Sequence, residues 1–241
     1  MRIIAFNGSP RMENGATDIV LNKFLDGAKH AGAEIEKVYL AKKRINRCVG
    51  CYGCWTKTPG VCVQKDDMGK ILQKMRESGL WVFATPLYTD TMNSYTKILL
   101  ERTLPRLQPF LTKYENRTRH PLRHPEEENK HKIVVISVCG FPERSHFEAL
   151  SLTFKKISIN AHAPVVGEIY LPGSQLLFDK SGRRLVNKFL ANVFNAGREI
   201  VENGKISEKT LKEINKEVKS PKFLYRWAGN RRWKKQIKTL A

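Results

Sequence analysis

The chain opens Arg2-Ile3-Ile4-Ala5-Phe6-Asn7-Gly8-Ser9-Pro10-Arg11-Met12-Glu13-Asn14-Gly15-Ala16-Thr17, and the reading of this stretch decides the fold. Arg2–Asn7 is short and apolar and ends abruptly at Gly8-Ser9-Pro10, as a buried strand running into a turn does. From Ala16 to Ala31 apolar residues fall at Ile19, Val20, Phe24, Leu25 and Ala28, which is helical spacing, and Gly32 stops the helix. The loop between them suits a phosphate monoester. Ser9 and Thr17 offer hydroxyls, Arg11 a cationic fork and Gly15 a close backbone approach, and the helix start adds free N–H groups. It is neither a Walker loop nor the GxGxxG of dinucleotide folds. The same residues also fit a plain turn in which Asn14 or Thr17 caps the helix.

Outward from this unit the alternation continues. Glu34–Leu40 reads as a second strand, Asp66–Glu77 as a helix opened by two carboxylates, and the apolar run Leu80–Thr85 as a strand covered on both faces. A helix is predicted from about Met92 to Leu104, then an irregular polar segment over 105–131, long enough for a lid or a partner surface. Lys132–Val138 and Val165–Leu171 read as strands, Arg144–Ile159 and Gly182–Asn203 as helices. Strand–helix alternation predicts a doubly wound α/β fold, with a parallel sheet of five strands and ligands outside the strands' carboxyl ends. The predicted domain is 1–204, with a cysteine-rich loop over 41–65. A basic extension over 205–241 begins helically, with Leu211, Ile214 and Val218 on one side, and breaks at Pro221.

Gly-Ser-Pro-Arg after the first strand, then Gly-Ala-Thr, resembles the NAD(P)H-dependent FMN reductase family, a flavodoxin-like group. Ala84-Thr85-Pro86-Leu87-Tyr88, followed by Met92 and Lys97, and Ser137-Val138-Cys139-Gly140-Phe141 are similar to that family's other two flavin loops. The resemblance covers about 1–200 and implies bound FMN. Ser9, Pro10, Arg11, Asn14, Gly15, Ala16 and Thr17 would hold its phosphate. Pro86, Leu87, Tyr88 and Thr89, with Ser137, Cys139, Gly140 and Phe141, would border its ring and ribityl chain. Because the cofactor carries the hydride chemistry, no triad or general base is expected. His146 reads as a helix-capping or surface residue, and one that reaches the flavin or a substrate is the alternative.

Four of the five cysteines lie close together as Cys48-x2-Cys51-x2-Cys54-x7-Cys62, with Gly50, Gly53 and Gly60 interleaved. One short loop supplying three thiolates at this spacing is what a [4Fe–4S] cube takes, the fourth coming from further along. Structural zinc pairs its C-x2–4-C units further apart, and a reducing compartment disfavours disulfides, yet zinc, a disulfide and free redox-active thiols all stay open on spacing alone. The motif is similar to that of the iron–sulfur flavoproteins, a subgroup of the same family, which implies Cys48, Cys51, Cys54 and Cys62 as cluster ligands. Cys139 stands apart and reads as a packing residue rather than a ligand.

Hydrophobic residues make up 41% of the 241 and no run approaches the roughly 18 apolar residues of a membrane helix, so a cytoplasmic protein without a membrane span is expected. The net charge of +20 is uneven: Lys205–Ala241 holds twelve Lys or Arg against three Glu. There Phe223, Tyr225, Trp227 and Trp233 interleave with basic residues, a mixture that packs within the chain or on a neighbouring subunit, or docks on an anionic lipid or nucleic-acid surface. No motif for reading specific nucleic acid is present. The expected function is an FMN-dependent oxidoreductase that takes electrons from NAD(P)H or a ferredoxin-like carrier and passes them, through a [4Fe–4S] cluster, to an acceptor the sequence does not name. The alternative is an electron carrier that docks to redox partners. The resemblance implies a homodimer or homotetramer.

Overall fold

A computed structural model describes residues 1–114, 116–216 and 222–240. In chain order the elements are β1 (Arg2–Asn7), α1 (Ala16–His30), β2 (Glu34–Tyr39), α2 (Gly53–Thr56), α3 (Met68–Glu77), β3 (Leu80–Tyr88), β4 (Thr91–Met92) and α4 (Ser94–Glu101). There follow β5 (Thr112–Tyr114), β6 (Arg117–Arg119), β7 (Lys132–Val138), α5 (Glu148–Ala161), β8 (Val165–Leu171), α6 (Lys180–Asn203), α7 (Glu208–Ile214) and α8 (Lys222–Leu240). Five strands form a parallel sheet in the order β2-β1-β3-β7-β8, and β4 pairs antiparallel with the end of β3. The chain is thus a flavodoxin-like doubly wound α/β protein. Its strand order reverses direction at β1, which places the ligand crevice at the β1/β3 carboxyl ends.

The central strands are apolar on both faces because both are covered. Ile3, Ala5, Val82, Ala84, Val134 and Ile136 face the layer of α1 and α6. Ile4, Phe6, Trp81, Phe83, Ile133 and Val135 face the layer that includes α3, α4 and α5. Helices α1 and α6 touch backbone to backbone at a pair of glycines. A Cβ on Gly27 would lie 1.9 Å from the Phe194 carbonyl oxygen, and one on Gly197 would lie 1.9 Å from that of Phe24.

Three parts differ from the sequence reading. Strand β3 runs on through Pro86 to Tyr88, and a two-residue turn at Thr89–Asp90 folds it back onto β4. Both turn residues have positive φ, 48° and 56°, the twist that suits a tight hairpin. The 105–131 segment is built rather than irregular. It holds the β5–β6 hairpin and a bridge between Leu107 and Leu122, and Arg106 ties back to Glu127 at 3.1 Å. The packing also carries past 204: Ile206 and Ile214 are buried in the α1/α6 core, so the start of the predicted extension belongs with the domain. Val218 and the break at Pro221 lie outside the described residues.

Candidate functional site

The loop after β1 is held from below by a buried polar chain. Asn7 Nδ2 donates to Asp18 Oδ1 at 2.8 Å, and Lys37 Nζ reaches the same carboxylate at 3.1 Å. Asn7 Oδ1 in turn accepts the N–H of Ser9 at 2.8 Å, and Ser9 Oγ accepts that of Arg11 at 3.2 Å. Ser9 and Thr17 are buried at the base of the loop, whereas Pro10, Arg11 and Asn14 are exposed on its rim. Arg11 sits over the Phe178 ring, 5.6 Å from its centroid. Neither Asn14 nor Thr17 caps α1. The N-cap is Gly15, which has no side chain to cap with, so the N–H groups of Ala16 and Thr17 have no acceptor among the described residues. Gly15 is set so closely that a Cβ there would lie 2.7 Å from Ser9 Oγ. Free first-turn donors, two hydroxyls and a cradle that a methyl group would fill make an anion nest at a helix start.

The second loop is locked to the first through Asn93, which caps α4. Its Oδ1 accepts from Thr96 N at 3.3 Å and Thr96 Oγ1 at 2.9 Å, and its backbone N–H donates to Thr85 Oγ1 at 3.1 Å. Asn93 Nδ2 also donates to the Gly8 carbonyl across the crevice. From β7, Ser137 Oγ donates to the Thr85 carbonyl at 2.8 Å. All three loops therefore meet over one buried polar column. Pro86 is buried, Leu87 half-buried, and Tyr88 and Thr89 stand out at the crevice mouth.

In the third loop Gly140 and Phe141 are exposed, but Cys139 is not free to face a ligand. It is buried in the α5-side core, and burial pushes its thiol up. Its Sγ accepts the Phe141 N–H at 3.3 Å, so it shapes the loop from within. The Gly140 carbonyl is taken by Tyr225 Oη of α8 at 2.7 Å. His146 spans the mouth, 3.6 Å from Asp90 and 3.5 Å from Glu143, with its ring 4.8 Å from that of Phe141.

Cys48, Cys51, Cys54 and Cys62 line one narrow pocket, together with Arg102 and Glu101 at the far end of α4. All four are free thiols, and burial, then the neighbouring Cys62, pushes that of Cys54 up. Among the described residues no group of three or more His, Cys, Asp or Glu side chains is set to hold a metal ion, so the expected ligands share a pocket without forming a single-ion polyhedron. Asn7, Asp18, Thr85, Asn93 and Thr96 were missed from sequence. Asn93 alone had a signal, an Asn three residues before a Thr at a helix start.

A crevice at the topological switch point, walled by three strand-end loops and floored by an anion nest, defines a mononucleotide-binding α/β protein. The chain belongs to the NADPH-dependent FMN reductase family, whose model matches residues 1–175. Among curated proteins it is similar to an iron-sulfur flavoprotein of Archaeoglobus fulgidus, 35% identical over 105 residues, or 44% of this chain and 46% of that one. An iron-sulfur flavoprotein of Methanocaldococcus jannaschii is also 35% identical over 105 residues, 44% of this chain and 53% of its own. The chain thus spans about half the length of the curated relatives it matches. Among solved structures it shares its fold with an NAD(P)H:quinone oxidoreductase from Methanothermobacter marburgensis. There the TM-score is 0.60 at 16% identity, covering 83% of this chain and 96% of that one. An FMN-dependent NADH-azoreductase from Bacillus anthracis gives 0.59 at 15% identity, with 85% and 99% covered.

Proposed function

We propose that this protein is an FMN-dependent oxidoreductase that draws electrons from NAD(P)H or a ferredoxin-like carrier and delivers them through a [4Fe–4S] cluster to a further acceptor. The observation that carries the reading is the nest at the start of α1: two uncapped N–H groups, Ser9 and Thr17 hydroxyls, and a Gly15 cradle with no room for a methyl group. The FMN phosphate fits that donor set. Arg11 on the rim adds positive charge over it, and the backbone from Pro86 to Thr89 and at Gly140–Phe141 borders the place for the ring. FMN supplies hydride acceptance and stepwise electron release when bound. The protein's part is to position it, and the Asn93 column does this by fixing the three loops to one another.

The cluster reading rests on the chemistry of the four thiols. All four line one shared pocket, and four thiolates are the ligand set of a cube that binds each through a different iron. The name shared by the archaeal relatives supports it. Helix α4 relates the two sites: Asn93 caps its flavin end and Arg102 its cysteine end, nine residues or about 13 Å along the axis at 1.5 Å per residue. A homodimer or homotetramer is proposed from the family resemblance, as is a cytoplasmic location.

Anaerobic purification tests the whole. Extracted FMN near one per chain, iron and acid-labile sulfide near four each, and rapid bleaching of the flavin band by NADPH are expected. Reduction by dithionite or ferredoxin but not by NADPH would remove the nucleotide as donor. Zinc without sulfide would overturn the cluster.

A further inference from the structure

The cysteine pocket has a charged wall that the ligand motif does not explain. Arg102, the C-cap of α4, has a side chain only 1% exposed, and its partner Asp66 has one 0% exposed. The pair is bidentate: Nη1 lies 2.7 Å from Asp66 Oδ2, and Nη2 lies 3.1 Å from Oδ1. Arg102 Nη1 also donates to the Asn46 carbonyl at 2.6 Å, while Asp66 accepts the N–H groups of Asn46 at 2.9 Å and Met68 at 3.0 Å. Asn46 precedes Cys48 and Asp66 follows Cys62, so one guanidinium closes both ends of the cysteine loop onto α4. Two points make it more than a clasp. Arg102 itself lines the pocket together with Cys62, and its Nε is buried with no hydrogen-bond partner among the described residues.

We propose that Arg102 is the positioning and charge-compensating residue of the cysteine pocket, holding a buried cation beside the cluster and thereby raising its reduction potential. The inference rests on the cluster reading above. Four thiolates give a [4Fe–4S]2+ cluster a net charge of −2, and uptake of one electron makes it −3, in a site where buried charge is poorly solvated. A fixed neighbouring cation favours the reduced form, and Asp66 tempers that cation. The bidentate contact fixes the guanidinium in this place, and the Asn46 carbonyl shares it. Glu101, the other charged group on the pocket, is engaged by Lys97.

The test is the cluster midpoint potential, from anaerobic redox titration followed by EPR, in the wild-type protein and three variants. Arg102→Gln should move it to more negative values, and Asp66→Asn, which leaves the cation uncompensated, to more positive ones. Arg102→Lys should stay near wild type. A clasp with no electrostatic role would not move the two variants in opposite directions. Unchanged potentials, or shifts of the same sign, overturn the proposal; if Arg102→Gln does not fold, the sign for Asp66→Asn decides. Wild-type protein without acid-labile sulfide would instead sink the cluster reading itself, a distinct outcome.

Discussion

Gly15 has an ordinary extended φ of −92°, so it is glycine for space and not for backbone freedom. Alanine fits that conformation, but its methyl group would lie 2.7 Å from Ser9 Oγ and intrude on the nest. Gly15→Ala should therefore weaken FMN binding at least about tenfold, or ~1.4 kcal/mol, while apo-protein stability changes little. Titration of flavin fluorescence gives the affinity, and an unchanged Kd would show that phosphate does not use this cradle. At Glu127 the effect is on stability. Burial pushes its carboxyl up, but His131, Arg106 and Arg76 outweigh burial and hold it at about 2, against an ordinary value of 4.5. A depressed carboxylate stabilises the fold above its unfolded pKa and loses that contribution as pH falls from about 4.5 towards about 2. Urea midpoints at pH 6 and pH 3 should accordingly fall less in Glu127→Gln than in wild type. Equal falls would show that the Glu127 carboxylate contributes nothing.

Helix α4 joins the two candidate sites, and its caps do different work. Asn93→Ala removes the cap on the Thr96 N–H, worth about 0.5–2 kcal/mol by itself, and also strands the Gly8 carbonyl. A loss of about 2 kcal/mol or more in urea unfolding of flavin-free protein is expected; less than ~0.5 kcal/mol would mean the loops are held by something else. At this scale local patterns in sequence were informative, and long-range pairings were not. The apolar run at Leu80 and the periodicity of Ala16–Ala31 are local, so β3 and α1 were both legible. The end of β3 was hidden because Pro86 reads as a breaker, yet it aligns with Val138 in the sheet register. The hairpin that follows was hidden because Thr89-Asp90 lacks the Asn-Gly signature of its turn. The 105–131 segment looked irregular because its order comes from Arg106 meeting Glu127 and Leu107 meeting Leu122, and spacing shows neither. The crevice loops were legible only as three fragments. The buried bonds of Asn93 to Gly8 and Thr85, and of Ser137 to Thr85, are what join them.

Across the whole molecule the charge is as uneven as the sequence implied, and the fold puts part of it beside the crevice. Helix α8 carries seven Lys or Arg and no acidic residue, and leaves Phe223, Trp227, Trp233 and Ile237 each about 60% exposed. Its hold on the body includes Tyr225, whose hydroxyl donates to the Gly140 carbonyl and whose ring lies where a Cβ on Gly173 would meet it at 3.3 Å. The aromatic side chain thus braces the third crevice loop, while Ile206 and Ile214 complete the core without α8. Deleting 222–241 should therefore leave thermal unfolding nearly unchanged and take the net charge from +20 to +13, the seven cations subtracted. It should also speed FMN dissociation several-fold, read by stopped-flow as recovery of flavin fluorescence. Tyr225→Phe separates the two effects, since it loses the bond to Gly140 and keeps every cation. If the truncated protein releases FMN faster but Tyr225→Phe does not, the basic charge of α8 retains the flavin and the tyrosine brace does not. If neither differs from wild type, the third loop is self-supporting and α8 acts away from the flavin.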